Sequence, residues 1–330
     1  MVIGAFPNTR LRRLRQSAWM RDLCSENDLT PSDLILPIFV REPETSPHIP
    51  SMPGVLRLTL DELIDVVHQA ADAGIPALAL FPTTPVELRC PDGSEALNPD
   101  NLICRAIQTI KSLNLNIGVI TDVALDPYTD HGHDGVIING RVDNEATIEI
   151  LQQQAYIQAK AGADALAPSD MMDGRILALR HYLDDRDYAD CLLISYAVKY
   201  ASSFYGPFRQ AVGVQQLSGL KDKKTYQMNP ANSDEAMREI AQDIQEGADM
   251  IIIKPGMPYL DVMQRAAAQF NIPLLAYQVS GEYAMIKAAA QNGWLEEERT
   301  VLESLIAFKR AGAHGILSYF ALEVAQNLSA

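Results

Sequence analysis

Two lysines stand where lysines are seldom found. Lys254 ends the apolar run Met250–Ile253, and Lys199 follows Ile194-Ser195-Tyr196-Ala197-Val198. A lysine rarely points into apolar surroundings unless it is paired or functional. Two cations sharing one apolar cavity should each depress the other's pKa, and desolvation acts in the same direction. A neutral amine near pH 7 is what Schiff-base chemistry with a ketone requires. For either lysine alone, snorkelling to water at a strand end is the better reading; the presence of two shifts the balance to function. Asp122, Ser169, Asp170, Ser280 and Tyr319 occupy similar positions at or just beyond the ends of apolar runs. The segment Asp122–Gly135 adds further polar groups, with Asp126, His131, His133 and Asp134 as possible metal ligands. Its acidic oxygens favour a hard ion such as Mg²⁺ over zinc, which prefers sulfur and imidazole. A polar loop whose aspartates cap turns is an almost equal alternative.

The elements that must hold these groups are legible as short apolar, β-branched runs: Leu34–Val40, Ala77–Phe81, Ile117–Val123, Ala165–Ala167, Leu192–Ser195, Met250–Ile253, Leu274–Val279 and Gly315–Tyr319. Helical stretches alternate with them, among them Leu60–Ala73, Glu145–Ala161, Asp234–Gln245 and Glu297–Arg310. That alternation implies βαβ units and a parallel sheet, and eight units suggest closure into a (β/α)8 TIM barrel, in which reactive groups follow the C-terminal ends of strands. Ala73-Gly74-Ile75, Ala161-Gly162-Ala163, Glu246-Gly247-Ala248 and Ala311-Gly312-Ala313 each precede a strand run. A glycine there ends a helix in the left-handed conformation and turns the chain into the next strand. An open doubly wound sheet would use the same joints, but no Gly-rich dinucleotide fingerprint follows the first strand.

Residues 1 to about 30 lie outside this alternation and read as an N-terminal arm that packs on another subunit, since Leu11, Leu14, Trp19 and Leu23 are too apolar for a frayed tail. Residues 31–330 then form one catalytic domain. Within it, Tyr200 to Asn232 lacks clear periodicity and holds Phe204, Tyr205, Phe208, Arg209, Lys221, Lys223, Lys224 and Tyr226. A loop this long is usually a lid or binding loop, and its basic cluster on an acidic protein suits a carboxylate substrate; a solvated surface loop is the rival reading.

The net charge of −15 disfavours nucleic acid, which needs a basic face. No run approaches the roughly 18 apolar residues of a membrane span. The N-terminal arginines Arg10, Arg12, Arg13 and Arg15 precede no apolar stretch, so no secretory signal is read and a cytoplasmic protein is expected. Cys24, Cys90, Cys104 and Cys191 are scattered without the short spacing of a disulfide frame or zinc motif.

At the residues already singled out, the sequence resembles the porphobilinogen synthase (5-aminolevulinate dehydratase) family. The matching blocks are Arg12–Arg21, Leu36–Val40, Met52-Pro53-Gly54-Val55, Asp122–Gly135, Ala167–Arg175, Tyr205–Arg209, Tyr226-Gln227-Met228, Lys254-Pro255-Gly256 and Val279–Tyr283. The resemblance implies that two molecules of 5-aminolevulinate are joined into porphobilinogen with loss of two waters, without an organic cofactor. It implies a Schiff base on Lys254 for the substrate that becomes the propionate side, and binding of the second substrate at Lys199. Ser280 and Tyr319 would hold the first carboxylate, and Arg209, Lys223 and Gln227 the second. Asp122 and Ser169 would line the first subsite, while Tyr205, Phe208 and Tyr277 would exclude water. The zinc-dependent branch carries three cysteines where this chain has Ala124, Asp126 and Asp134, so cysteine-ligated zinc is not expected. The sequence looks like the aspartate-bearing branch, Mg²⁺-stimulated or metal-independent, with an allosteric Mg²⁺ ligand mapping to Glu239. Homo-octamers, with hexamers also known, are the implied assemblies. A class I aldolase on the same barrel, or a non-catalytic barrel scaffold, are the rival functions.

Overall fold

The computed structural model describes residues 4–213, 220 and 222–329. Parallel strands β1 Leu34–Arg41, β2 Ala77–Thr83, β3 Gly118–Val123, β4 Ala165–Pro168, β5 Leu192–Lys199, β6 Met250–Lys254, β7 Leu274–Gln278 and β8 Gly315–Ser318 pair in chain order. β8 returns to β1 through Leu34↔Ile316 and Ile35↔Leu317, which closes the sheet. The anticipated (β/α)8 TIM barrel is therefore the observed fold, and all eight apolar runs are its strands.

The strands read as unbroken apolar runs because both faces are covered, one by the barrel interior and one by the helices. Every residue of β1 is buried. Pro37 is tolerated in that strand although it cannot donate to a ladder. It stands between the pairing of Leu34 and Ile35 with β8 and that of Phe39 and Val40 with the short strand Arg57–Leu58. The helices obey the complementary period. In Leu60–Asp72 the buried residues are Leu63, Val67 and Ala70, one stripe along the helix. Its start is set by a capping box in which the Glu62 carboxylate accepts the Thr59 N–H at 2.8 Å. Gly162 (φ +112°) ends Asn144–Ala161 and Gly312 (φ +105°) ends Glu297–Ala311, a backbone that a side chain disfavours.

One irregularity matters for function. β5 pairs with β6 through Ser195↔Ile251 and then Val198↔Ile253, so β5 carries an extra residue, a bulge. Bulges re-aim the side chains that follow them. Beyond this one, Lys199 stands opposite Lys254.

The arm residues from 4 onward form a short 3-10 turn, Leu11–Arg15, and a helix, Ala18–Leu23, with no buried residue in either. Phe6, Trp19 and Leu23 are 75%, 63% and 77% exposed. The segment expected to be aperiodic, 200–232, contains a short helix, Gly206–Ala211, which starts with Pro207 in its first turn. Lys221 and residues 214–219 lie outside the described residues.

Candidate active site

Lys199 ends β5 and Lys254 ends β6, so both amines rise at the C-terminal mouth of the barrel. They line one cavity of about 30 Å³ together with Asp122, Ser169 and Asp126 on one side, and Tyr205, Phe208, Arg209, Lys223 and Gln227 from the 200–232 segment on the other. Sequence reading had placed these residues on five separate stretches of chain; the barrel brings them to one point.

Lys254 has the apolar setting expected of it. Its Nζ lies 4.7 Å from the ring centre of Tyr277, 5.0 Å from those of Tyr196 and Phe208, and 5.4 Å from that of Tyr205. Ring faces attract a cation, but burial and the neighbouring Lys199 charge outweigh them and pull the Lys254 ammonium down to about 7. Tyr205 helps close this box by donating to the Lys254 carbonyl at 3.1 Å.

Lys199 departs from the expectation of an apolar setting. Its Nζ donates to Asp134 Oδ1 at 3.0 Å, to the Ser169 carbonyl, and to Ser169 Oγ at 3.3 Å. Asp134 is a hub: its Oδ2 also meets Lys223 Nζ at 2.7 Å and the Tyr226 hydroxyl at 2.9 Å. Burial alone would raise its pKa, but Lys199 and Lys223 hold the carboxyl well below the usual range. Lys223 also reaches Asp126 at 3.4 Å. Asp126 and Asp134 thus each face an ammonium group. Among the described residues no three acidic, imidazole or thiol side chains converge where a metal could sit. His131 and His133 are likewise engaged, His131 Nε2 with the Pro91 carbonyl at 3.1 Å and His133 Nδ1 with the Tyr226 hydroxyl at 3.0 Å.

Asp122, on β3, has a buried Oδ1 without a hydrogen-bond partner. Burial, reinforced by Asp126, pushes its carboxyl up to about 7 despite the two lysines. A carboxyl and an amine that both exchange protons near neutrality, in one cavity, are suited to moving a proton between substrate atoms. Ser280, Tyr277 and Tyr319 stand just behind this wall. Ser280 Oγ accepts the Phe208 N–H at 2.9 Å, and the Tyr277 and Tyr319 hydroxyls meet at 3.0 Å. Glu239 lies elsewhere, half-buried in a groove with Asn144, Asp173 and Glu235. Gln227 lines both that groove and the cavity. Burial and the nearby Asp243 raise the Glu239 pKa.

The family model described as Delta-aminolevulinic acid dehydratase matches residues 8–327. The chain belongs to the delta-aminolevulinic acid dehydratase family. It is 54% identical to the Delta-aminolevulinic acid dehydratase of Bradyrhizobium diazoefficiens over 321 residues, covering 97% of this chain and 90% of the relative. Identity to the Rhodobacter capsulatus enzyme of the same name is 48%, covering 100% and 99%. Among solved structures, the delta-aminolevulinic acid dehydratase (porphobilinogen synthase) of Toxoplasma gondii, crystallised with the reaction product porphobilinogen, superposes with a TM-score of 0.94 at 48% identity, covering 96% of this chain and 91% of that one.

For a member of the dehydratase family, several participants were invisible as such in the sequence. Tyr196, inside β5, reads there as an ordinary strand aromatic, yet its ring borders Lys254. Tyr226 carried no assigned role, although its hydroxyl joins Asp134 and His133. Asp170 reads in the sequence as a strand-end acid. It forms a fully buried ion pair with Arg175, 3.6 Å apart, and Arg175 also meets Asp243 at 3.2 Å. The sequence signals for Tyr226 are its place in the matching block Tyr226-Gln227-Met228 and its position three residues after Lys223, which a tight turn brings together: the Tyr226 N–H donates to the Lys223 carbonyl at 3.3 Å.

Proposed function

We propose that this dehydratase-family chain condenses two molecules of 5-aminolevulinate into porphobilinogen, with Lys254 and Lys199 as the amines that form imines with the two substrate ketones. The observation that carries the reading is the Lys254 amine in its aromatic box, directly across the ladder from Lys199. A ketone meeting a neutral amine forms an imine with loss of water, and the imine makes the neighbouring carbon more acidic. A carbon–carbon bond and a carbon–nitrogen bond then join the substrates, both lysines are released, and two waters leave in all. Holding both ketoacids in one cavity replaces a collision in water by near-attack geometry. Asp122, and Lys254 once it is released from its imine, would take and return the protons that ring formation moves. Arg209, Lys223 and Gln227 would receive one substrate carboxylate, Ser280 and Tyr319 the other. A cavity of about 30 Å³ has room for little more than water, which supports the 200–232 segment acting as a lid that opens for substrate and closes against imine hydrolysis. With two lysines in one cavity, the class I aldolase alternative leaves the second amine without a task.

The chain also fits the aspartate-bearing branch. Asp134 supplies charge to Lys199 and Lys223 where a thiolate would supply a zinc ligand. Mg²⁺ would act from outside the cavity at Glu239, in the groove it shares with Asn144, Asp173 and Glu235. With few protein ligands converging there, waters would complete the coordination, and no chemical step passes through the ion. The exposed apolar arm suits packing on a second copy within a homo-octamer or hexamer.

The test is direct. Incubation with 5-aminolevulinate should yield porphobilinogen by colour reaction, and borohydride trapping followed by peptide mapping should place the label on Lys254. Lys254→Ala should lose at least about a thousandfold in kcat with its circular dichroism unchanged. A trapped enzyme labelled on neither lysine, or a Lys254→Ala variant that still turns over normally, would sink the reading.

A further inference from the structure

The helix Gly206–Ala211 brings Phe208 to Lys254 and Arg209 to the cavity wall. It is only six residues long, far below the dozen or so at which an isolated helix becomes even marginal. Its last carbonyls have no partners within the helix to continue the ladder. Two arginines from other parts of the chain take them up. Arg57, beside the mouth end of β1, donates from Nε to the Ala211 carbonyl at 2.6 Å and from Nη2 to the Gln210 carbonyl at 2.7 Å. Its Nη1 is anchored on the Ser46 and His48 carbonyls, both at 2.8 Å. Arg89, beyond the end of β2, donates from Nη2 to the Val212 carbonyl and from Nη1 to the Gly213 carbonyl, both at 3.0 Å. Its own anchor is the Thr84 carbonyl, 3.0 Å from Nε. Thr83, the last residue of β2, adds a bond from Oγ1 to the Ala211 carbonyl at 3.1 Å. Four consecutive carbonyls, 210 to 213, are thereby tied to the rim of the barrel. Neither guanidinium lines the cavity.

We infer that Arg57 and Arg89 are positioning residues of the condensation: they clamp the main chain at 210–213 and so hold Arg209 at the cavity wall. A planar fork that meets two adjacent carbonyls at fixed angles does this where a lysine, a single point donor, would not. The inference rests on the reading of Arg209 as a substrate-carboxylate clamp. It predicts that loosening the clamp weakens substrate binding through Arg209, while the chemistry at Lys254 proceeds once substrate is bound.

The experiment is a double-mutant cycle between Arg89 and Arg209 on the full-length enzyme, read as KM and kcat for 5-aminolevulinate. Arg89→Met should raise KM about thirtyfold, the effect of two lost hydrogen bonds of about 1 kcal/mol each, with kcat within about threefold. Arg89→Lys should recover only part of the loss. Because Arg89 acts through Arg209, Arg89→Met/Arg209→Ala should show a KM within about twofold of Arg209→Ala alone. Multiplying effects in the double variant, or a fall in kcat at unchanged KM, would overturn the inference in favour of a merely structural role. A raised KM in Arg209→Ala with a normal KM in Arg89→Met sinks the positioning role alone; a normal KM in Arg209→Ala sinks the carboxylate clamp and the positioning role with it. Should the arginine variants fold poorly, Gly213→Ala keeps the question open to refutation. Gly213 has φ +76°, and a Cβ there would press on Arg89 Nη2 at 2.9 Å. A Gly213→Ala enzyme with wild-type KM would also overturn the inference.

Discussion

A lysine amine with an ordinary pKa of 10.5 is neutral in only about one molecule in 3,000 at pH 7; at about 7, roughly half are neutral. That difference of about three orders of magnitude is what burial and the neighbouring Lys199 charge together add to the neutral fraction of Lys254. The cause is burial first, then the Lys199 charge, with Asp122 pulling the other way. The folded-state value lies below the ordinary one, so the amine loses its proton as pH rises through about 7. The rate of imine formation should climb over that window. In Lys199→Met the neighbouring cation is gone, Lys254 holds its proton more tightly, and the midpoint for borohydride trapping at Lys254 should move to higher pH. A midpoint that stays put or moves to lower pH would contradict this account. Asp122, raised to about 7, titrates in the same window, so the limbs of a pH–rate profile belong to the pair rather than to either group.

At the scale of elements, the barrel is set by apolar runs and helix-ending glycines, and the site by one bulge and one short helix. The glycine joints are open to test. Gly312 has φ +105°, and a Cβ there would lie 2.4 Å from Ala267 Cβ. Gly140, in the turn between Ile137–Ile138 and Arg141–Val142, has φ +74° but open space around it. Gly140→Ala should therefore cost only the backbone term, about 1 kcal/mol, while Gly312→Ala adds a steric clash and should cost about 2–4 kcal/mol. Urea unfolding midpoints measure both; equal losses would mean that the helix beneath Gly312 yields freely. The bulge in β5 is a different matter, because nothing in Ile194–Lys199 announces it. The run has the same apolar, β-branched composition as its neighbours, and the extra residue shows only in the ladder with β6.

At the scale of the whole molecule, the proposed assembly through the exposed apolar arm is open to test. Deleting residues 1–29 should lower the native mass, by light scattering, to that of a dimer or smaller, with the barrel still folded by circular dichroism. An unchanged mass would remove the arm from the interface. Chelation should reduce activity, Mg²⁺ should restore it and zinc should not; Glu239→Gln should abolish the response to Mg²⁺. A zinc-restored enzyme would point to ligands other than those considered above. Among the described residues no helix is long and apolar enough to cross a membrane.

The sequence by itself determined the barrel, the eight strands and the placement of two lysines at strand ends, because hydrophobic period and the left-handed preference of glycine are local properties, written over a few consecutive residues. The family blocks likewise marked Ser169, Arg209, Lys223, Gln227 and Ser280 as site residues. Only the tertiary structure decided which amine is neutral and which is paired. Asp134 meets Lys199 across 65 positions of sequence and Tyr226 across 92, and Asp126 meets Lys223 across 97. The same holds for Arg57 and Arg89, each more than a hundred positions from the carbonyls it holds near 211. Charge pairing and desolvation depend on which groups the closed barrel brings within a few ångströms of one another, and no local pattern of residue types encodes that approach.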